Sequence, residues 1–446
     1  MSTVVALSTP RGRGALAVIR LSGPQAIEIA VWLARVDSFE PRHATLTELV
    51  WEDAVLDQVL LTCFPAPHSL TGEDVVEISC HGSPAIVRRI IDATLAAGAA
   101  LAGPGEFTLR ALRNGKINLA QAEAIRDLIA AQTDTAVKQA ARQLNGELSK
   151  TLDPFKEKLV HVIVLLESAL EFVEDDLPAT QVDQVEEIIS SVIAGVDRLS
   201  QSYSAGRLLQ DGARIAITGR PNVGKSSLFN SLVRSERAIV TDVPGTTRDT
   251  LSESIDISGV PVVLTDTAGL RETRDNIEAL GIERTHRAMG DADLVLLVID
   301  GATEVGPEDE ELLKQTSEAR RIVVVNKSDL PSFHSLTRCA DGLEAINVSA
   351  RTGDGLAQLH AAIVERLNSA AADDGSLLIT NARHYDLLCS ARGELESAQV
   401  CFRERHSEEL VLAPLHNALK LLGQITGETT TEDILSEIFA TFCIGK

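Results

Sequence analysis

The run Arg214-Ile215-Ala216-Ile217-Thr218 reads as a short strand, and it breaks directly into Gly219-Arg220-Pro221-Asn222-Val223-Gly224-Lys225-Ser226. A strand, a Gly-x-x-x-x-Gly-Lys-Ser loop and a following helix commit this region to an α/β fold built around a phosphate cradle. The glycines let backbone N–H groups of Asn222, Val223 and Gly224 turn inward around phosphates. Lys225 neutralises the β and γ charges, Ser226 offers a hydroxyl to Mg²⁺, and the helix through Ser227 points its positive end at the site.

The loop alone does not choose between ATP and GTP, but further elements follow in order. Asp266-Thr267-Ala268-Gly269 follows the apolar strand Val262-Val263-Leu264, which predicts Asp266 near Mg²⁺ and the Gly269 amide near the γ-phosphate. Thr246 and Thr247 precede it in a loop suited to closing on the metal. Asn326-Lys327-Ser328-Asp329 ends the strand Ile322 to Val325. A carboxylate at Asp329 accepts from the N1–H and 2-amino group of guanine; adenine lacks the 2-amino group and would leave that carboxylate unpaired. Ser349-Ala350-Arg351 completes the pocket around the guanine oxygen. The expected ligand is therefore GTP with Mg²⁺.

Hydrolysis needs a group that orients water. Leu270, directly after the Asp-x-x-Gly element, cannot do this, which leaves Glu272, Glu278 and Glu283 as open alternatives. Arg248 and Arg271 are candidate charge stabilisers. The Asn222 amide oxygen is placed to hold a monovalent cation beside the phosphates.

The chain has 446 residues, enough for about three domains at roughly 150 residues each. Residues 1–118 mix strands (Ala15 to Ile19, Val59 to Phe64, Val75 to Ile78) with helical runs such as Pro84 to Ala97 and predict an α+β domain. From 119 to 209 the period becomes helical: Val182, Val185, Ile188, Ile189, Val192, Ile193, Val196 and Leu199 make one stripe, and Leu144, Leu148, Leu152, Leu159, Ile163 and Leu166 a longer, less regular one. Helical pattern returns over 371–446. A lone stretch of that length buries too little, so the expectation is a discontinuous helical bundle interrupted by an inserted Ras-like domain at 210–370. The net charge of −23 excludes the chain as a whole from trapping nucleic acid, so any RNA must be held by a local patch or a partner. No stretch reaches the length of about 18 apolar residues that a membrane span needs, the start lacks a signal-peptide pattern, and six unpaired-looking cysteines suit a reducing compartment. The expected localisation is cytoplasmic. Cys80 and His81 find no second pair for a metal, and Trp32 and Trp51 are expected in the core.

Taken together, these residues resemble the MnmE (TrmE) family of tRNA-modification GTPases. The resemblance runs through Thr9-Pro10-Arg11-Gly12-Arg13-Gly14, Ile19-Arg20-Leu21-Ser22-Gly23, Thr71-Gly72-Glu73-Asp74, Pro104-Gly105-Glu106-Phe107-Thr108 and Leu119-Ala120-Gln121-Ala122-Glu123. It continues with Gly245-Thr246-Thr247-Arg248-Asp249, Asp266 to Arg271 and the terminal Phe442-Cys443-Ile444-Gly445-Lys446. It departs from the family at Cys80 and Ser83, where glycines are expected, and at Val223 and Pro244, where smaller residues are. The resemblance implies a homodimer through the N-terminal domains, with a tetrahydrofolate derivative on Arg20, Glu77, Lys116 and Lys446 as one-carbon donor. It also implies K⁺ on Asn222, Thr241, Val243 and Thr246, Mg²⁺ on Ser226 and Thr247, and Glu278 as the catalytic acid. The implied partner is an FAD-dependent subunit of the GidA (MnmG) type, acting with this chain on C5 of the wobble uridine (U34) of certain tRNAs.

Two other classes of protein share part of this pattern. A ribosome-assembly GTPase shares the nucleotide motifs but usually carries a basic RNA-binding appendage. A prenylated signalling GTPase is suggested by Cys443, fourth from the end, although Gly445 and Lys446 suit a prenylation box poorly. Thr429 to Asp433 read as a helix start, with Ile434, Leu435, Ile438, Phe439 and Phe442 as the face that docks the tail on the helical bundle. That would leave Cys443 to Lys446 free to reach the folate site, with Cys443 either a nucleophile or a packing residue.

Overall fold

The computed structural model describes residues 2–171, 179–235, 252–266, 291–335, 345–367, 376–428, 435 and 438–445. They form two compact units, Met1–Arg126 with Gly423–Lys446, and Asp127–Leu422.

In the N-terminal unit the elements are β1 (Val4–Leu7), β2 (Leu16–Ser22), α1 (Ala26–Ala34), β3 (Thr45–Trp51), β4 (Ala54–Phe64), β5 (Val75–His81), α2 (Pro84–Ala96), β6 (Ala100–Leu101), α3 (Glu106–Arg113) and α4 (Leu119–Ala130). The sheet order is β3-β4-β5-β2-β1-β6, with only the β1–β6 pair parallel. Strand alternation sends Ile19, Leu21, Leu61 and Ile78 into a core with Ile29, Leu33 and Ile90 of α1 and α2. The opposite face carries Arg20 and Glu77 in register, and also Leu46 and Leu60, which are 63% and 47% exposed. Trp51 packs partly against the core, but Trp32 is 53% exposed, so the expectation of a core role fails for Trp32.

The C-terminal tail belongs to this unit. Phe439 and Phe442, with ring centroids 4.9 Å apart, pack with Leu119 and Ala122 of α4 and Leu109 and Leu112 of α3. The tail therefore docks on α3 and α4, not on the bundle at large. Its end is stitched down rather than free: Pro104 bridges Ile444, the Gly105 N–H donates to the Cys443 carbonyl at 3.2 Å, and the Ser8 hydroxyl to the Gly445 carbonyl at 3.0 Å. Gly105 sits at φ +63, and a Cβ there would meet Phe439 at 2.8 Å, so the docked aromatics require glycine. Thr429 to Ile434 lie outside the described residues.

The second unit holds α5 (Asp134–Leu144), α6 (Glu147–Glu171), α7 (Ala179–Gln201), α8 (Tyr203–Asp211), β7 (Ala213–Thr218), α9 (Lys225–Ser235), β8 (Ser252–Ile257), β9 (Val260–Asp266), β10 (Leu294–Asp300), α10 (Pro307–Gln315), β11 (Arg321–Asn326), β12 (Ala345–Asn347), α11 (Leu356–Arg366), α12 (Ala382–Arg403) and α13 (Glu408–Thr426). The bundle is discontinuous. After the inserted domain the chain returns, the Gln143 amide donates to the Leu378 carbonyl, and α12 runs antiparallel along α7 through Arg392–Asp197, Gln399–Ser190 and Arg403–Glu186. Val185, Ile189, Val192 and Val196 of α7 are fully buried, as their helical spacing requires. The inserted sheet has the order β12-β11-β10-β7-β9-β8, parallel except for β8. Its order reverses at β7, the switch point at which open α/β sheets bind ligands. Among the described residues no helix is long and apolar enough to cross a membrane.

Candidate functional site

The Gly-Lys-Ser loop leaves β7 at that switch point and enters α9 at Lys225. Asn222 at φ +67 and Gly224 at φ +97 bend the backbone so that successive N–H groups face one concavity. Lys225 is buried, and its ammonium donates to the carbonyls of Gly219 at 3.0 Å and Arg220 at 2.6 Å, which holds it at the cradle's rim. Val223 is buried beneath the loop, while Asn222, Ser226 and Ser227 are exposed. In parallel register with β7, Asp266 pairs with Ile217 at the β9 end, beside the strand that feeds the loop.

Two further strand ends close on the same place. The Asn326 amide donates to the Val223 carbonyl at 2.9 Å, and its oxygen accepts from the Ala350 N–H at 3.0 Å. The Ser349 hydroxyl donates to Asp329 Oδ1 at 2.7 Å, and Arg351 stands 3.9 Å from Asp329 Oδ2. Asp329 keeps 16% exposure, oriented by Ser349 and open to a ligand's donors. Lys327, at φ +71, is anchored on Asp300 at 2.6 Å, at the end of β10. Space as well as charge shapes the cradle: a Cβ on Gly224 would stand 2.2 Å from the Asn326 amide nitrogen.

The sequence reading missed one contact in this site. Arg220, second in the loop, donates to Asp309 at 2.7 Å, and Asp309 is 1% exposed while also accepting from the Gly306 N–H at 3.0 Å. Locally, Pro307-Glu308-Asp309-Glu310 reads only as an acidic helix start, and nothing in that pattern points to an arginine 89 positions earlier.

Of the other expected site residues, Thr241, Val243, Thr246, Thr247, Arg248, Gly269, Glu278 and Lys446 lie outside the described residues. In the N-terminal unit Arg20 pairs with Glu77 at 2.7 Å and lies over the Phe107 ring, 5.8 Å from its centroid; the Lys116 ammonium donates to the Pro67 carbonyl at 2.9 Å. Beside them is a buried network that carried motif residues but no assigned role. Arg110 donates to Glu73 at 2.8 Å and Glu106 at 2.7 Å, and Ser22 donates to Glu73 at 2.8 Å. Burial opposes charge on Arg110, but its bonds to Glu73 and Glu106 outweigh that and raise it above its ordinary value. Cys443 is exposed.

A phosphate cradle on a parallel sheet, with Asn-Lys-x-Asp and Ser-Ala loops at neighbouring strand ends, defines a P-loop protein of the GTPase class. Two family models match the chain, the GTP-binding protein TrmE N-terminus over residues 3–116 and the MnmE helical domain over residues 119–443. A tRNA modification GTPase MnmE of Koribacter versatilis is 43% identical over 451 residues, covering 100% of this chain and 99% of that protein. Its Aquifex aeolicus counterpart is 43% identical over 446 residues, covering 99% of each. The solved G domain of the T. maritima FeoB iron transporter is 30% identical over 34% of this chain and 98% of its own, with a TM-score of 0.27. The chain belongs to the MnmE family of tRNA modification GTPases.

Proposed function

We propose that the protein is a K⁺-stimulated GTPase that works with an FAD-dependent partner of the GidA type to modify C5 of the tRNA wobble uridine. The one-carbon unit would come from a tetrahydrofolate derivative. The observation that carries the nucleotide half is the convergence of Lys225, Asn326, Asp329 and Ser349 just beyond the ends of β7, β11 and β12. Asp329 reads the guanine N1–H and 2-amino group, Ser349 keeps its carboxylate turned to them, and Lys225 balances the phosphate charge. Ser226, with Thr247, would hold Mg²⁺. The exposed Asn222 side chain at the loop's tip suits a K⁺ ligand shared with Thr241, Val243 and Thr246. Bound there, K⁺ would supply the positive charge that an arginine finger otherwise brings to the transition state. Leu270 offers no polar group, so Glu278 is assigned the role of orienting water.

For the folate half, the support is the Arg20–Glu77 pair on the sheet face opposite α1 and α2, backed by the Arg110–Glu73 network. The exposed Leu16, Leu46 and Leu60 on the same unit support a homodimer through the N-terminal domains. Cys443 and Lys446 are assigned to the same chemistry through the tail that Ser8 and Gly105 tie down. With a net charge of −23, the chain relies on its flavoprotein partner for most tRNA phosphate contacts.

The test is GTPase rate in K⁺ against Na⁺, together with nucleoside analysis of tRNA modified by the chain and its copurified flavoprotein. A markedly faster rate in K⁺, lost in Asn222→Ala with GTP binding retained, and a slow, nucleotide-binding Glu278→Ala support the reading. Equal rates in both salts, or an unmodified wobble uridine, would end it.

A further inference from the structure

Both tryptophans of the chain line one cavity of about 420 Å³ in the N-terminal unit, between α1 and the β3–β4 turn. Val31 and Val50 supply apolar wall, and Glu28 and Glu52 stand exposed around it. Neither glutamate has an ion-pair partner among the described residues. Among the described residues the one cation lining the cavity, Arg35, is already paired with Asp53 at 2.8 Å. The cavity thus offers two indoles and two uncompensated carboxylates.

Its backbone is held in unusual geometry. Glu52 and Asp53 form a two-residue hairpin turn with φ +50 and +59, positions at which glycine or asparagine is favoured. Arg35 caps α1 at φ +52, another position glycine usually takes. Three left-handed non-glycine residues therefore gather here, and the Arg35–Asp53 pair ties two of them together across the gap between helix and hairpin. Backbone strain of this kind persists where a side chain is worth more than a relaxed turn.

We propose that this cavity docks an arginine or lysine side chain presented by a basic segment of a partner protein. The indole faces attract a cation, the valines accept its aliphatic stem, and Glu28 and Glu52 supply the opposite charge. A phosphodiester strand is disfavoured by the same two carboxylates, so a protein cation fits where RNA does not.

Because no other tryptophan exists in the chain, intrinsic tryptophan emission of the full-length protein reads this cavity alone. The probe is a blocked Gly-Arg-Gly-Arg-Gly peptide, compared with its alanine counterpart, with a uridine oligonucleotide and with simple dilution of the protein. The expected result is a saturable emission change with the arginine peptide only, weakened at high salt and about fivefold weaker in Glu28→Gln or Glu52→Gln. Glu52→Gly should weaken the response while raising thermal stability, since it relaxes the turn and removes the charge. No saturable change, an equal response to the alanine peptide, a response to the oligonucleotide, or a change on dilution alone would each overturn the proposal.

Discussion

The Asn326 amide donates 2.9 Å to the carbonyl of Val223, joining the base-reading loop to the phosphate loop across 103 positions of chain. Through its oxygen on the Ala350 N–H, the same side chain also holds the Ser-Ala-Arg turn. One buried amide therefore sets the spacing between the proposed base-reading loop and the phosphate loop. Asn326→Ala strands both backbone groups and removes the tie between the two loops. Titration with a fluorescent GTP analogue should show affinity reduced by roughly 10- to 100-fold. Gly224→Ala should have a comparable effect, because its methyl would lie 2.2 Å from the Asn326 nitrogen at a φ of +97.

Asp329→Asn should exchange base preference. In the proposed pocket the carboxylate accepts two donors from guanine; an amide turns one acceptor into a donor, which suits the C2 oxygen of xanthine. Competition binding should show GTP weakened and XTP strengthened, while an unchanged GTP preference would remove Asp329 from the base pocket.

Arg220→Met leaves the buried Asp309 carboxylate without its cation, and breaking a buried pair on one side costs about 3–5 kcal/mol. Thermal unfolding should show a clear loss in the single variant. Arg220→Met with Asp309→Asn should recover most of it, because asparagine can still accept from the Gly306 N–H without a charge. Equal loss in both variants would assign the effect to packing.

Burial pushes the thiols of Cys63 and Cys80 up to about 11, aided by Asp74 and Asp57 respectively, from an ordinary value of 9.0. The folded state thus keeps these protons more tightly than the unfolded chain. Their contribution to stability is complete below pH 9 and is lost as pH rises from about 9 to about 11. At pH 8 a small alkylating agent should label the exposed Cys443 well before Cys63 or Cys80, as peptide mass mapping would read.

The nucleotide site was legible because its chemistry is written in contiguous runs at strand ends: Gly219 to Ser226, Asn326 to Asp329 and Ser349 to Arg351 each carry their own spacing. The bundle was legible from the 3.6-residue period of Val185, Ile189, Val192 and Val196. Relationships between distant segments were not. Asp309 looks like any acidic residue in a first helical turn until Arg220 reaches it. The tail's apolar face pointed only to the helical bundle in general, and it is the fold that brings Phe439 and Phe442 onto Leu119 and leaves Gly445 on the Ser8 hydroxyl. Trp32 fails for a related reason: bulk and apolarity favour burial, yet α1 turns Ile29 and Leu33 inward and leaves Trp32 on its outer side.

The central claim is that guanine nucleotide at the Asn326–Asp329 site drives a tRNA modification. Its most direct test is reconstitution of the chain with the proposed flavoprotein partner, tRNA and the proposed folate one-carbon donor, read by nucleoside analysis of the wobble uridine. The natural chain should modify with GTP and not with XTP, and Asp329→Asn should modify with XTP and fail with GTP. Modification that proceeds without nucleotide, or with GTP at the natural rate in Asp329→Asn, would contradict the account.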